Sequence, residues 1–137
     1  MKGQTLMIQF ALFFLIGLSL FALIGNTFNL QTKVYQKEIA EYSRENIASY
    51  INAVIAYENS CKCDFIEYSI GLKNTTAGYI TKVILLDGLR VVSLPTNQFY
   101  FSRLFNLNAS YQLEGDAFST RPIKITISKT ENKIRVI

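Results

Sequence analysis

A charge-free stretch at the N-terminus restricts this chain more than any other feature. No Asp, Glu, Lys or Arg lies between Lys2 and Lys33, and residues 6–25 are mostly Leu, Ile, Phe and Ala. Twenty residues in an α-helix rise about 30 Å, which is the thickness of the hydrocarbon core of a bilayer. The sequence therefore predicts that residues 4–28 form a helix that spans a membrane or lies in the core of an assembly.

The apolar run is unlike that of an ordinary secretory signal. Such signals have an apolar region of about 7–15 residues, followed by a cleavage site of small residues. Here the run is longer, and Asn26, Thr27 and Phe28 follow it. We therefore expect the helix to remain in the mature protein.

The composition argues against several classes of function. The chain has 137 residues, half of them hydrophobic, a formal net charge of +4 and no histidine. Histidine is a common general base and the commonest metal ligand, and no nucleophile motif or phosphate-binding glycine loop occurs in its place. Lysine and arginine are dispersed, unlike the basic patches of nucleic-acid-binding proteins. We predict no enzymatic activity, no cofactor, no metal site and no nucleic-acid partner.

The helical pattern extends beyond the apolar run. Proline, which breaks helices, first occurs at Pro95, and the first stop signal is Glu58-Asn59-Ser60. We therefore predict one helix over residues 4–58.

Aromatic residues recur along this helix mainly every seven positions. A seven-residue spacing keeps side chains on one slowly turning face. The stripe consists of Phe14, Phe21, Phe28, Tyr35, Tyr42, Tyr50 and Tyr57. We expect Phe10 and the stripe as far as Tyr42 to form a helix-packing core, and the last three tyrosines to pack on the chain's own C-terminal domain. The opposite face is predicted to carry the charged residues Lys37, Glu41, Arg44 and Glu45.

The sequence period changes after Asp64. Apolar and polar residues alternate in Ile123–Ser128 and Lys133–Val136, as in strands with one buried face. Asp87-Gly88 joins β-rich runs and is a strong hairpin signal. Further strands are predicted at 65–72, 79–86, 89–94, 98–104 and 110–114, with a turn at Gly115-Asp116. The predicted class is α+β, with a long N-terminal hydrophobic helix before a small antiparallel β-sandwich or barrel at 59–137.

The first residues, Met1-Lys2-Gly3-Gln4-Thr5-Leu6, place a basic residue, a glycine and a polar residue before the apolar run. This resembles the class III signal peptide of archaeal type IV pilin-like proteins. In that family a membrane peptidase cuts after the glycine and the hydrophobic helix is retained. The resemblance implies a prepilin leader at residues 1–3 and processing between Gly3 and Gln4. Bacterial and some archaeal pilins have a glutamate five residues after the cut, where this chain has Ile8.

Two short motifs lie outside these patterns. Cys61 and Cys63 are separated by one residue, and they either form a strained local or intersubunit disulfide or remain unpaired thiols. Asn74-Thr75-Thr76 and Asn108-Ala109-Ser110 match the acceptor motif for N-glycosylation. We expect a glycan on at least one of Asn74 and Asn108.

Two functions from different classes fit these patterns. The first is a structural subunit of an archaeal type IV pilus-like surface filament. It would lie in the membrane before assembly and form a helical homo-oligomer through its N-terminal helix, with the β domain outside. The second is a non-polymerising, single-pass membrane-anchored protein with an external β domain, such as a minor pilin or an archaellum stator-like component.

Overall fold

One long helix precedes a β-rich region in the computed structural model, which describes residues 2–104 and 107–137 without the side chains of residues 2–5 and 108. Helix α1 comprises Lys2–Ser60, two residues more than predicted at each end. In the described part of the chain it is followed by β1 Phe65–Ile70, β2 Ile80–Leu85, β3 Leu89–Leu94, β4 Gln98–Ser102, α2 Leu107–Ser110, β5 Gln112–Phe118, β6 Ile123–Ser128 and β7 Lys133–Val136. The predicted α+β class is confirmed. Met1, the first residue of the predicted leader, lies outside the described residues.

The strands form one seven-stranded sheet in the order β1-β6-β7-β5-β2-β3-β4. Neighbouring strands are antiparallel, except that β5 and β7 run parallel. The predicted hairpin joins β2 to β3, with Leu85 opposite Leu89 on either side of Asp87-Gly88. The strands assigned to a sandwich or barrel thus form a single, mostly antiparallel sheet, and the layer packed on it is helical.

Strand β5 changes its pairing partner at Gly115. Residues 112–115 pair with β7, and residues 116–118 pair with β2. Gly115 has a φ of +108°, and a Cβ added there would collide with the backbone oxygen of Val136. The turn predicted at Gly115-Asp116 is therefore wrong. The glycine lies inside a strand because it permits a close approach of two backbones.

The chain divides into two compact units, one ending at Gln36 and the other beginning at Lys37. In the second unit the helix covers the inner face of the sheet. Its fully buried residues Ala48, Ile51 and Ile55 follow the spacing of one helical face. They pack on the inner-facing side chains of the strands: Ile70, Val83, Leu85, Leu89, Val91, Leu113, Ala117, Ile123, Ile125, Ile127, Ile134 and Val136.

Hydrogen bonds between side chains also join the helix to the domain. Asn52 Nδ2 donates to Ser102 Oγ at 2.5 Å, and the Tyr111 hydroxyl donates to Asn59 Oδ1 at 2.8 Å. Arg44 Nη1 donates to Ser93 Oγ at 2.9 Å. The hydrogen bonds of Asn52 and Asn59 both lie in the last third of α1. This part of the helix is therefore fixed to the β-rich domain.

Arg44 is buried, with only 5% of its surface exposed. Arg44 lies opposite Tyr42 around the helix, as predicted, but this side of the helix faces the sheet and not solvent. The reason is its position four residues from Ala40 and four from Ala48, both of which are buried. Among the described residues Arg44 Nε has no hydrogen-bond partner, so the guanidinium is incompletely satisfied in this site.

The tyrosines of the second unit do not pack on the sheet as predicted. Tyr42 and Tyr57 are exposed, and Tyr50 is also largely exposed. The hydroxyl of Tyr50 lies 3.2 Å from that of Tyr68 in β1. At about 100° per residue, Tyr42 and Ile51 point in opposite directions from the helix. Tyr42 is therefore on the far side of the helix from the sheet.

Candidate assembly surfaces

The apolar part of α1 is not covered by any other described residues of the chain. The described helix contains a segment long and apolar enough to cross a membrane, and no residue of that segment is buried. The predicted helix-packing residues of the first unit are all exposed: Phe10, Phe14, Phe21, Phe28 and Tyr35. Apolar surface of this extent is unfavourable in water, so this helix requires lipid or other protein around it.

The few hydroxyl groups in this segment are satisfied within the helix. Ser19 Oγ donates to the carbonyl oxygen of Leu15 at 2.8 Å. Thr27 and Thr32 make the same contact with Leu23 and Phe28, at 2.9 Å each. Their hydroxyl donors therefore need no water, which suits a helix in lipid or in a dry helical core.

The processing and glycosylation residues lie apart from one another. Gly3 and Gln4 belong to the first turn of α1, and their side chains are outside the described set. Asn74 is exposed in the loop before β2, where its backbone oxygen accepts a hydrogen bond from Ser119 Oγ at 2.8 Å. Asn108 lies in α2, and its side chain is likewise not described. The exposure of Asn74 is compatible with the predicted glycan.

Cys61 and Cys63 are free thiols in this structure. A hydrogen bond from the Cys63 side chain is the main cause that lowers the pKa of Cys61. The same contact raises the pKa of Cys63. The two side chains are thus adjacent, and the predicted disulfide between them remains a prediction.

Among the described residues, no group of three or more Cys, Asp or Glu side chains has an arrangement that would hold a metal ion.

The outer face of the sheet, turned away from the helix, has two chemically different halves. The half formed by β1, β6, β7 and the start of β5 is polar. Lys124 Nζ lies 2.8 Å from Glu67 Oε1, and Arg135 forms an ion pair with Glu114. The pKa of Lys124 is raised, chiefly by its hydrogen bond to Glu67. This half has the polar surface expected of a sheet face in water.

The other half of the outer face is rich in aromatic and apolar residues. Cross-strand neighbours form one row of Phe118, Lys82, Val92 and Phe99, and a second row of Ile84, Arg90 and Phe101. We call these seven residues the outer patch. Phe99 is 63% exposed, and Phe101 and Phe118 are also exposed. Exposed rings in adjacent positions are typical of a surface that binds another molecule.

The two cations of the outer patch lie over its rings. Lys82 Nζ is 5.0 Å from the centroid of Phe118, and the Arg90 guanidinium is 5.7 Å from that of Phe101. Lys82 also pairs with Asp116 at 2.7 Å. Sequence reasoning missed this patch, although β2, β3 and β4 carry apolar residues on both faces of each strand. That loss of alternation is the signal that could have found it.

Comparison with protein-family models, with curated proteins and with solved structures found no match for this chain.

Proposed function

We propose that this protein is the structural subunit of an archaeal type IV pilus-like surface filament. Its helix lies in the membrane before assembly and then packs with the helices of other copies, while the β domain is outside. The observation that carries this proposal is the exposed, charge-free surface of α1 between Leu6 and Leu30.

Burial of this surface is a sufficient driving force for assembly or membrane insertion. A fully buried Leu, Ile or Phe side chain contributes about 1.5–3 kcal/mol. Lipid and neighbouring helices both supply an apolar environment, so apolarity alone does not separate the two. The aromatic stripe favours neighbouring helices, because lipid makes no demand for a repeat of seven residues whereas helix pairs do.

The stripe also continues past the apolar run. Tyr35 is 62% exposed and follows Lys33, where the charge-free segment ends, so the rings that would pack between helices run from Phe10 to Tyr35. A bilayer whose core is about 30 Å thick is spanned by about 20 residues and does not reach both ends of this stripe. A neighbouring copy of the helix does reach both ends. Together with the Gly3-Gln4 junction, this favours a polymer over a simple anchor.

The alternative is a non-polymerising membrane-anchored protein with an external β domain. In the described part of the chain one helix is long and apolar enough to cross a membrane, and this helix fits the alternative equally well. The two functions differ in how they respond when aromatic residues of the helix are replaced by other apolar residues. An anchor requires only apolarity in its helix, whereas a filament requires rings that fit between neighbouring helices.

The test is the double substitution Phe14→Leu and Phe21→Leu, which keeps the segment apolar and removes both rings. We expect membrane retention to be unchanged and surface filaments, counted by electron microscopy, to be lost or strongly reduced. Phe65→Leu is the matched control, because Phe65 is an exposed ring on the sheet. Normal filaments in the double variant would refute the role of the stripe. Membrane retention without filaments in the wild type would favour the anchored alternative.

A further inference from the structure

The outer patch and the exposed side of α1 in the second unit have complementary chemistry. Glu38, Glu41 and Glu45 lie within two turns of the helix, and together with the exposed Tyr42 they line one surface pocket. None of these three carboxylates pairs with a cation among the described residues. We call these four residues the acidic strip. It offers negative charge beside one aromatic ring.

The outer patch offers the opposite charge beside its own rings. Arg90 is paired only loosely, with Asp87 at 3.9 Å, and it is substantially exposed. It lies over Phe101, and Phe99 is exposed on the same strand. An incoming carboxylate would bind Arg90, while an incoming tyrosine ring would cover apolar surface next to it.

A single molecule does not bring these two surfaces together. The helix packs on the inner face of the sheet through Ala48, Ile51 and Ile55. The outer patch lies on the other face, because its residues alternate along the strands with the buried ones. The sheet itself therefore separates the acidic strip from the patch of the same chain. Only another molecule reaches the patch with such a strip.

We propose that the outer patch of one copy binds the acidic strip of a second copy of this chain. The two surfaces are different parts of the molecule, so the contact is heterologous, and it repeats from copy to copy as an open helix when its rotation does not close into a ring. An open repeating contact builds a filament, and this one would order the outer domains around the helical core. The inference rests on the proposed filament and names the surfaces that its subunits use outside that core.

A photo-crosslinker tests the contact directly. We would replace Tyr42 by benzoylphenylalanine in the full chain and irradiate cells that produce it. The expected product is a covalent dimer on a denaturing gel. Its tryptic digest should join the peptide around position 42 to residues 91–103, which contain Phe99 and Phe101. The matched control places the same crosslinker at Tyr57, which is exposed on the helix but outside the acidic strip.

Charge reversal supplies a second arm. Arg90→Glu should lower the dimer yield about fivefold, since an attraction worth roughly one exposed ion pair becomes a repulsion. Adding Glu45→Arg to this variant should restore the yield. Lys133→Glu, on the polar half of the outer face, should leave it unchanged.

The outcomes separate this inference from the proposed function. No dimer at position 42, or a dimer joined to other peptides, overturns the contact whether or not filaments form. An unchanged yield with Arg90→Glu also overturns it. If filaments are seen by electron microscopy although the crosslink fails or the yield is unchanged, the proposed function stands and the helical core alone is the assembly surface. A dimer yield that falls with Arg90→Glu and recovers when Glu45→Arg is added supports the contact. This holds even where electron microscopy finds no filaments and the proposed function fails.

Discussion

Replacing Ile51 by alanine should disrupt the junction between helix and sheet. Ile51 is fully buried on the face of α1 that contacts the sheet. The substitution removes three carbons, worth about 2.4 kcal/mol at about 0.8 kcal/mol for each buried methylene. The cavity that remains adds to this, so we expect a total loss of about 3–4 kcal/mol. For a unit of about 100 residues, that loss lowers the Tm by more than about 12 °C.

The assay is thermal unfolding of the full chain in detergent micelles, followed by the β-sheet band in the infrared. Tyr57→Ala is the matched control, because Tyr57 is on the same helix and is 76% exposed. Its free energy of unfolding should change by no more than about 0.5 kcal/mol. Equal Tm shifts in the two variants would refute the assignment of the buried and exposed faces. A Tm unaffected by Ile51→Ala would show that this part of the helix is not docked on the sheet.

Three further predictions follow from single sites. Gly115→Ala should unfold the β5–β7 pairing, because the φ of Gly115 is +108° and the position of an added Cβ is occupied by backbone. Gly71→Ala is the control and should be neutral, because a Cβ at Gly71 meets no atom within 4 Å. Similar Tm values for the two variants would contradict this prediction. Arg44→Met should change the free energy of unfolding by less than about 1 kcal/mol, because it removes a buried and incompletely satisfied cation. A loss above about 3 kcal/mol would contradict this and would indicate a further hydrogen-bond or ion-pair partner of the Arg44 guanidinium. In the reduced protein, iodoacetamide should modify Cys61 before Cys63 at mildly alkaline pH, because the Cys63 thiol lowers the pKa of Cys61. The control variant Cys63→Ala should slow the reaction at Cys61. Peptide mapping that finds Cys63 modified first would contradict this order of reaction.

The long helix and the strands were predictable because their signals are local. Absence of charge, absence of proline and strict alternation act within short windows, and the strands β6 and β7 have the predicted bounds. The hairpin at Asp87-Gly88 was predictable for the same reason, since a two-residue signal fixes it.

The errors concern positions whose role depends on distant residues. Arg44 is polar, yet it occupies a helical position between two buried alanines and meets Ser93 from β3. Gly115 resembles a turn residue in sequence, but its role is set by Val136 on the neighbouring strand. Neither partner is visible from spacing along the chain. The outer patch was missed likewise, because its rows run across four strands whose order in the sheet is not the order of the sequence.

We propose that the exposed apolar helix is the assembly surface of a processed filament subunit. The most direct measurement is N-terminal sequencing and intact mass of the protein recovered from surface filaments sheared from its source. We predict that this chain is the main component of those filaments and that it begins at Gln4. A chain absent from the filaments and recovered only from membranes with Met1 still attached would contradict the claim.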